Sequence, residues 1–296
     1  MRPFLNALAL FAILTSFQSC QKVIEIDLPP ADSKVVVNSF FTDGNPIKVH
    51  LSKSIGVLDN IIPELNNATI ILLINNVKTD TLYEDNGYYY SHIPAERGKK
   101  YSLIVHVADM DSVFCEDIIP EKTILQNCIC TDSVLIDEDG FIINELKLDF
   151  QDSAGPSFYE VQLSAKYIID NNFISIWFKK NSDPIITSTG LLDYNPKTLI
   201  FTDKMFDGKH CSVRIYFATQ AYADYNLTIT FRSVSESYYK YKERQVAYLF
   251  SLENDIFSGM SEPINLFSNI TGGYGIFAGY SSDEKINEFN KNYPSF

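Results

Sequence analysis

Two thiols stand two residues apart at Cys128-Ile129-Cys130, and an imidazole and a third thiol are adjacent at His210-Cys211. Thiolate and imidazole together are the donor set of a zinc site. Zinc pairs normally show C-x₂₋₄-C spacing, however, and this pair is tighter. With Cys115 the chain holds four cysteines beyond Cys20, which in an oxidising compartment admit three disulfide connectivities. A bond within Cys128-Ile129-Cys130 would be strained, so those two are expected to pair elsewhere if at all. Disulfides or inert thiols are the expectation, and no metal or cofactor is.

The other candidates are weaker. The acidic turn Asp137-Glu138-Asp139-Gly140 suggests calcium, but with Gly140 at position six of an EF-hand loop, Leu135 and Leu146 fall where oxygen ligands are needed. An exposed hairpin turn fits better. Asp109 and Asp111 flank Met110 in another expected turn. Thr271-Gly272-Gly273-Tyr274-Gly275 has glycines enough for a phosphate loop but lacks the Gly-Lys-Ser/Thr ending and the G-x-G-x-x-G spacing. His50, His92, His106 and His210 form no H-E-x-x-H pair, and there is no G-x-S-x-G elbow. No catalytic residues are assigned.

The elements that must position these groups begin with a leader. Arg2 precedes an apolar stretch from Phe4 to Leu14, and Ser19 precedes Cys20. That is a secretory signal, too short to span a bilayer. Cysteine directly after a small residue points to lipoprotein processing, with residues 1–19 removed and Cys20 acylated. Several acyl chains anchor firmly where one binds only marginally. The formal charge of −13 becomes about −14 once Arg2 is removed, which argues against nucleic acid and anionic lipid as electrostatic partners.

Residues 20–33 read as a tether stiffened by Pro29-Pro30. Strand patterns then dominate, with 18 Tyr and 21 Phe favouring β structure. Ile47, Val49 and Leu51 alternate with polar residues, and Thr69 to Ile74 suits a buried strand. Asp85-Asn86-Gly87 predicts a tight hairpin turn. Pro120 to Thr123 marks a boundary. Beyond it, strands are expected through Val134–Ile136, Leu146–Phe150, Val161–Tyr167, Phe173–Phe178, Val213–Phe217 and Leu227–Phe231. One helix, about 236–253, carries Tyr238, Tyr241, Gln245, Tyr248 and Leu252 at helical spacing, with Ser235 or Ser237 as its cap, and is expected to seat against its own sheet.

Four stretches carry a family resemblance. They are Cys20 with IEIDLPP at 24–30 and VVVNSFFTDG at 35–44; Ala68-Thr69-Ile70 with Gly87-Tyr88-Tyr89 and Tyr101-Ser102-Leu103; FQDSAGPSFYEVQL at 150–163 with FTDKMFDGK at 201–209; and SVSESYYKYKERQ at 233–245 with the ending from Ser268 to Phe277. The chain resembles a Bacteroidota lipoprotein family known as domain of unknown function 4249. The resemblance implies an outer-membrane lipoprotein that caps, or recruits substrate for, a TonB-dependent transporter. It transfers no site residues. The acidic sorting signal expected just after the cysteine of surface-exposed members is weak here, since Gln21-Lys22-Val23-Ile24 precedes Glu25 and Asp27, so it leaves the membrane face open; the expectation is the cell surface over the periplasmic face.

The expected architecture is mainly β, with two β-sandwich domains. The first, at 34–122, is immunoglobulin-like, and the second, at 123–296, carries the helix. The expected function is a non-enzymatic transport accessory, with a surface adhesion or structural β-sandwich lipoprotein, or a degradative enzyme with an unrecognised site, as alternatives. Tyr274 is the possible partner contact, with Phe277 turned inward. Acylation at Cys20 gives the first prediction. Cys20→Ala should move the protein from the membrane fraction to the soluble one, and an unmodified Cys20 in the intact mass of the wild-type chain would refute it.

Overall fold

Period-two alternation decides which side chains meet. The computed structural model describes residues 32–56, 61–167, 173–176, 178–179, 183–187, 197–218, 225–258 and 264–289. The expected signal, Cys20 and residues 21–31 of the tether lie outside the described residues. The chain first forms β1 (Val35–Thr42), β2 (Pro46–Lys53), β3 (Ala68–Ile74), β4 (Val77–Thr81), β5 (Tyr83–Asp85), β6 (Tyr88–Pro94), β7 (Lys100–Val107) and β8 (Val113–Ile118). It continues through β9 (Leu125–Ile136), β10 (Ile142–Gln151), β11 (Phe158–Tyr167), β12 (Phe173–Ser175), a short helix α1 (Pro184–Thr187), β13 (Thr198–Thr202), β14 (His210–Ala218) and β15 (Tyr225–Val234). Helix α2 (Glu236–Ser258) and β16 (Tyr274–Phe289) complete the described elements.

The architecture is mainly β and sandwich-like. One nine-stranded sheet follows the order β12-β11-β15-β16-β1-β2-β6-β5, with β13 also paired to β11. The four-stranded sheet β4-β3-β7-β8 packs against β1, β2 and β6 through Val37, Ile47, Val49, Ile70, Leu72, Leu103 and Val105. The three-stranded sheet β14-β10-β9 packs against β11 and β15 through Leu146, Leu148, Phe150, Val161, Val213, Ile215, Ile229 and Phe231. Two cores therefore share one long sheet. At the Asn86-Gly87 turn both residues take positive φ, 50° and 77°, as a tight hairpin requires.

The last strand joins the halves. β16 pairs parallel with β1 from Tyr274 to Tyr280, then antiparallel with β15 from Tyr280 to Phe289. Its Phe277 is fully buried in the first core and stacks on Phe41 at 4.4 Å. Residues 34–122 thus do not complete the first core alone, and Ile270 and Phe277 are needed as well. The described residues from Ser33 onward form one compact unit. The junction near 123 is stitched to the second half. Thr123 N donates to Ser233 Oγ, Leu125 N donates to Asp283 Oδ2, and Lys122 Nζ lies 3.1 Å from Asp283 Oδ1.

Helix α2 extends past the expected 253. Ser235 is its cap, accepting from Tyr238 N at 3.2 Å, as an N-cap oxygen accepts from the third helical residue. Only the root seats firmly. Tyr238 and Tyr239 are buried and Tyr241 half-buried, whereas Tyr248 and Leu249 are exposed. The expectation that the whole stripe packs on the sheet is therefore corrected for the middle of the helix.

The cap is itself held by Asp117 of β8, which accepts from Ser235 Oγ and, at 3.0 Å, from Gly279 N. Burial pushes the Asp117 carboxyl up to about 6, despite these donors. A carboxyl raised in the folded state favours folding most when protonated. Its contribution is complete below the ordinary carboxylate range and is lost as the pH rises through about 6. The melting temperature should fall between about pH 4 and 6.5, and Asp117→Asn should flatten that fall. Parallel thermal scans of the two proteins check this, and superimposable pH profiles would refute it.

Candidate functional site

The long sheet has an outer face, and its two ends differ. Outward side chains run in register across the strands. Tyr274 of β16 lies opposite Val36, Asn38 of β1 opposite His50, Lys48 of β2 opposite Tyr90, and Tyr90 of β6 opposite Tyr83. Tyr88 and His92 flank Tyr90 at period two, on the same face. Tyr83, Tyr88 and Tyr274 are 46%, 37% and 51% exposed, which is enough for each ring to meet a partner.

The rings form a connected group. Tyr83 sits 5.9 Å from Tyr90 and 4.9 Å from His92, and His50 sits 5.4 Å from Tyr88. Lys48 Nζ lies 3.6 Å from the Tyr88 ring centroid, a cation–π contact. The histidines are oriented by carboxylates. Asp80 accepts from His92 N at 2.7 Å and lies 2.9 Å from Nδ1, and His50 Nε2 lies 3.9 Å from Glu64. Tyrosine, histidine and lysine offer apolar faces with polar tips, so this surface tolerates water and can also bind.

Helix α2 covers the other end. Beneath it Ile200, Val234, Ile276 and Ala278 pack with Tyr238 and Tyr239. Tyr238 donates to Glu160 Oε2 at 2.7 Å, and Arg232 binds the same oxygen. Burial, then the Glu160 charge, raises the Tyr238 hydroxyl well above its ordinary range. Phe40 marks the border of the covered region, 39% exposed and 5.0 and 5.6 Å from Tyr238 and Tyr241.

The segment Ser268 to Phe277 fixes the strand on which Tyr274 stands. Asn269 imitates a neighbouring strand, accepting from Phe277 N at 3.0 Å and donating to Phe277 O at 2.7 Å. Thr271 exchanges both backbone hydrogen bonds with Phe114. Gly275 takes φ +107°, and a Cβ there would lie 2.0 Å from Val37 O, so only glycine fits. The glycines serve close backbone approach between strands. Tyr274 faces outward beneath Lys34 Nζ, 5.4 Å from the ring centroid, and Phe277 faces inward.

This segment lies within the region that decides the family. The profile of a domain of unknown function (DUF4249) matches residues 21–286. The chain belongs to that family. No curated protein matches it. Among solved structures, the collagen adhesin of S. aureus is 8% identical, with 88% of this chain and 93% of that chain covered at a TM-score of 0.21. A structure of manganese lipoxygenase of Gaeumannomyces graminis with part of the zonadhesin of Komagataella pastoris is 9% identical, with 68% and 88% covered at 0.17. Neither overlap is close enough to transfer a fold or a function.

The remaining sequence candidates fall elsewhere. Cys115, Cys128, Cys130 and Cys211 are all free thiols. Burial raises Cys115 well above the thiol range and Cys211 to about 12. β10 runs between β9 and β14, and alternation sends exposed His210 and buried Cys211 to opposite faces, so the four-donor metal constellation is not built. Asp137 Oδ1 accepts from Asp139 N and Phe141 N, and Oδ2 lies 2.8 Å from Lys179, which makes this acidic turn a self-bonded hairpin. His106 sits on an exposed strand position beside Ser112.

Sequence reasoning missed a cluster formed by two of the family-like turns. Oxygens of Asp152, Asp203 and Asp207 lie within 4.8 Å of one another and could offer ligands to a cation. Each carboxylate also ties the turns together. Asp152 accepts from Tyr159 Oη and Gly208 N, Asp203 from Ser157 N, and Asp207 from Gly155 N. It missed the aromatic face too, although Tyr88, Tyr90 and His92 alternate in the sequence. The geometry separates Tyr274 from Phe277 energetically. Phe277→Ala should cost about 3–5 kcal/mol and lower the melting temperature by about 10 °C. Tyr274→Ala should shift it by less than about 2 °C. Equal destabilisation in thermal unfolding would show that Tyr274 is part of the core.

Proposed function

We propose that the protein is a non-enzymatic, lipid-anchored accessory of a TonB-dependent outer-membrane transporter, acting on the cell surface to cap it or bring it substrate. The observation that carries the binding role is the outer face of the long sheet, left open among the described residues, where His50, Lys48, Tyr88, Tyr90, Tyr83 and His92 form one amphipathic cluster and Tyr274 stands on the same face. Exposed aromatic groups of this size mark interaction sites, and Tyr is prominent among residues that dominate binding energy. The strands beneath it are held by the first buried core, so the face is organised before a partner arrives. The resemblance to outer-membrane lipoproteins supplies the transporter, and the N-terminal leader supplies the anchor.

The carboxylates and hydroxyls gathered in the described structure hold turns and strands, which supports a binding role over a catalytic one. Gentle detergent extraction with a C-terminal tag, followed by mass spectrometry, tests the partnership. A TonB-dependent barrel should accompany the wild-type chain, and Tyr274→Ala or Tyr88→Ala should reduce its yield at least tenfold with the fold intact, because hot-spot truncation costs about 2 kcal/mol or more. Recovery without any such barrel, even after crosslinking in cells, would refute the reading.

A further inference from the structure

The cysteines at 115 and 211 are buried core residues, but Cys128 and Cys130 are only partly buried and stand on the same face of β9. Among the described strands β9 is an edge strand, paired to β10, with Cys128 opposite Leu148 and Cys130 opposite Leu146. Across the sandwich, the Asn287 amide of β16 donates to Cys130 Sγ at 3.2 Å and lies 4.0 Å from Cys128 Sγ. One side-chain amide therefore touches both sulfurs. Lys285, on the same strand as Asn287, also acts electrostatically on Cys128.

The strand decides what such a pair can do. Two residues of extended chain advance about 6.6 Å, and the Cβ atoms of i and i+2 are separated by a similar distance. A disulfide needs a Cβ separation of about 3.8 Å, so closing one here would distort β9 and its ladder to β10. A metal ion between the sulfurs relieves that constraint, because two metal–sulfur bonds of about 2.3 Å let the sulfurs stand up to about 4.6 Å apart. Zinc would require four donors, and among the described residues His210 and Cys211 lie on the far side of β10. Soft thiolates without further donors select Cu(I).

We propose that Cys128 and Cys130, with Asn287 donating to their sulfurs, form a two-thiolate clamp for a soft monovalent cation, Cu(I) in particular. Both S–H protons pass to solvent as two S–Cu bonds form, and neither sulfur nor copper changes oxidation state. The Asn287 amide orients and stabilises the thiolates from the second sphere.

The test is anaerobic titration of the reduced full chain with Cu(I), in competition with the chelator bathocuproine disulfonate. The wild type should take one equivalent. Cys128→Ser and Cys130→Ser should each weaken binding at least a hundredfold, Asn287→Leu about tenfold, and Cys115→Ser and Cys211→Ser should leave it unchanged. Should the serine variants unfold, the wild-type chain still decides the matter, since Cu(I) must protect Cys128 and Cys130 from N-ethylmaleimide. Absence of binding, binding that survives the Cys128→Ser/Cys130→Ser double variant, equal labelling with and without Cu(I), or a Cys128–Cys130 disulfide in the chain isolated from cells would each overturn the proposal.

Discussion

The structure depends on one strand that belongs to two sandwiches. β16 enters beside β1 in parallel and leaves beside β15 antiparallel, so among the described strands it is what joins the two halves of the long sheet. Parallel pairing to β1 brings the final segment of the chain against one of its first strands, a contact of very large sequence separation whose loop-closure entropy must be met by burial. Phe277 supplies that burial, stacked on Phe41, and backbone proximity supplies the rest. The approach is so close that a Cβ on Gly279 would lie 2.1 Å from Ile118 O, and one on Gly273 would lie 2.4 Å from Val35 O. Side chains larger than glycine at these positions would push the chain away from β1 and β8 and open the first core.

The same strand anchors the helix. Gly279 N and Ser235 Oγ converge on Asp117, so β16, β8 and the α2 cap meet at one carboxylate. The helix root meets a second buried group, Glu160, which is fully buried and receives both Arg232 and Tyr238. A buried ion pair is weak evidence of net stability, but losing one partner leaves an uncompensated charge at a cost of about 3–5 kcal/mol. Since Tyr238 sits on the first turn of α2, the helix cannot leave without withdrawing a donor from Glu160. Helix position is thereby linked to the polar groups at the centre of the sheet rather than to apolar contact alone.

Local physics was legible in the sequence and long-range pairing was not. Alternation located Ile47, Val49 and Leu51 on an inward face, and Asn86-Gly87 announced its turn, because each depends on neighbours a few residues away. The β nature of the chain and the start of the helix at Ser235 were readable for the same reason. What could not be read was which strand lies beside which. The glycine-rich ending was visible, but not what it serves, because its glycines answer to Val35, Val37 and Ile118, residues more than a hundred positions away. The helix stripe implied a buried face along its length, but tertiary contact holds only the root. Cys128 and Cys130 were visible as a pair, whereas Asn287, which touches both, carries no local signal.

Division of the outer sheet face follows from these constraints. Where Ile200, Val234, Ile276 and Ala278 point outward, water contact is unfavourable and the helix root is fixed above them. Across β1, β2, β6 and β5 the outward positions carry Asn38, Lys48, His50, Tyr88, Tyr90 and His92 instead, which keep polar tips in water while presenting ring faces. The inward positions of the same strands, Val37, Val49 and Tyr89, are buried to 1% exposure or less. A one-residue slip of any strand would exchange the two sets, so the core fixes the register of the face as firmly as its own. The surface offered to a partner is therefore set by packing on the opposite side of the sheet, and it needs no ordering of loops to become competent.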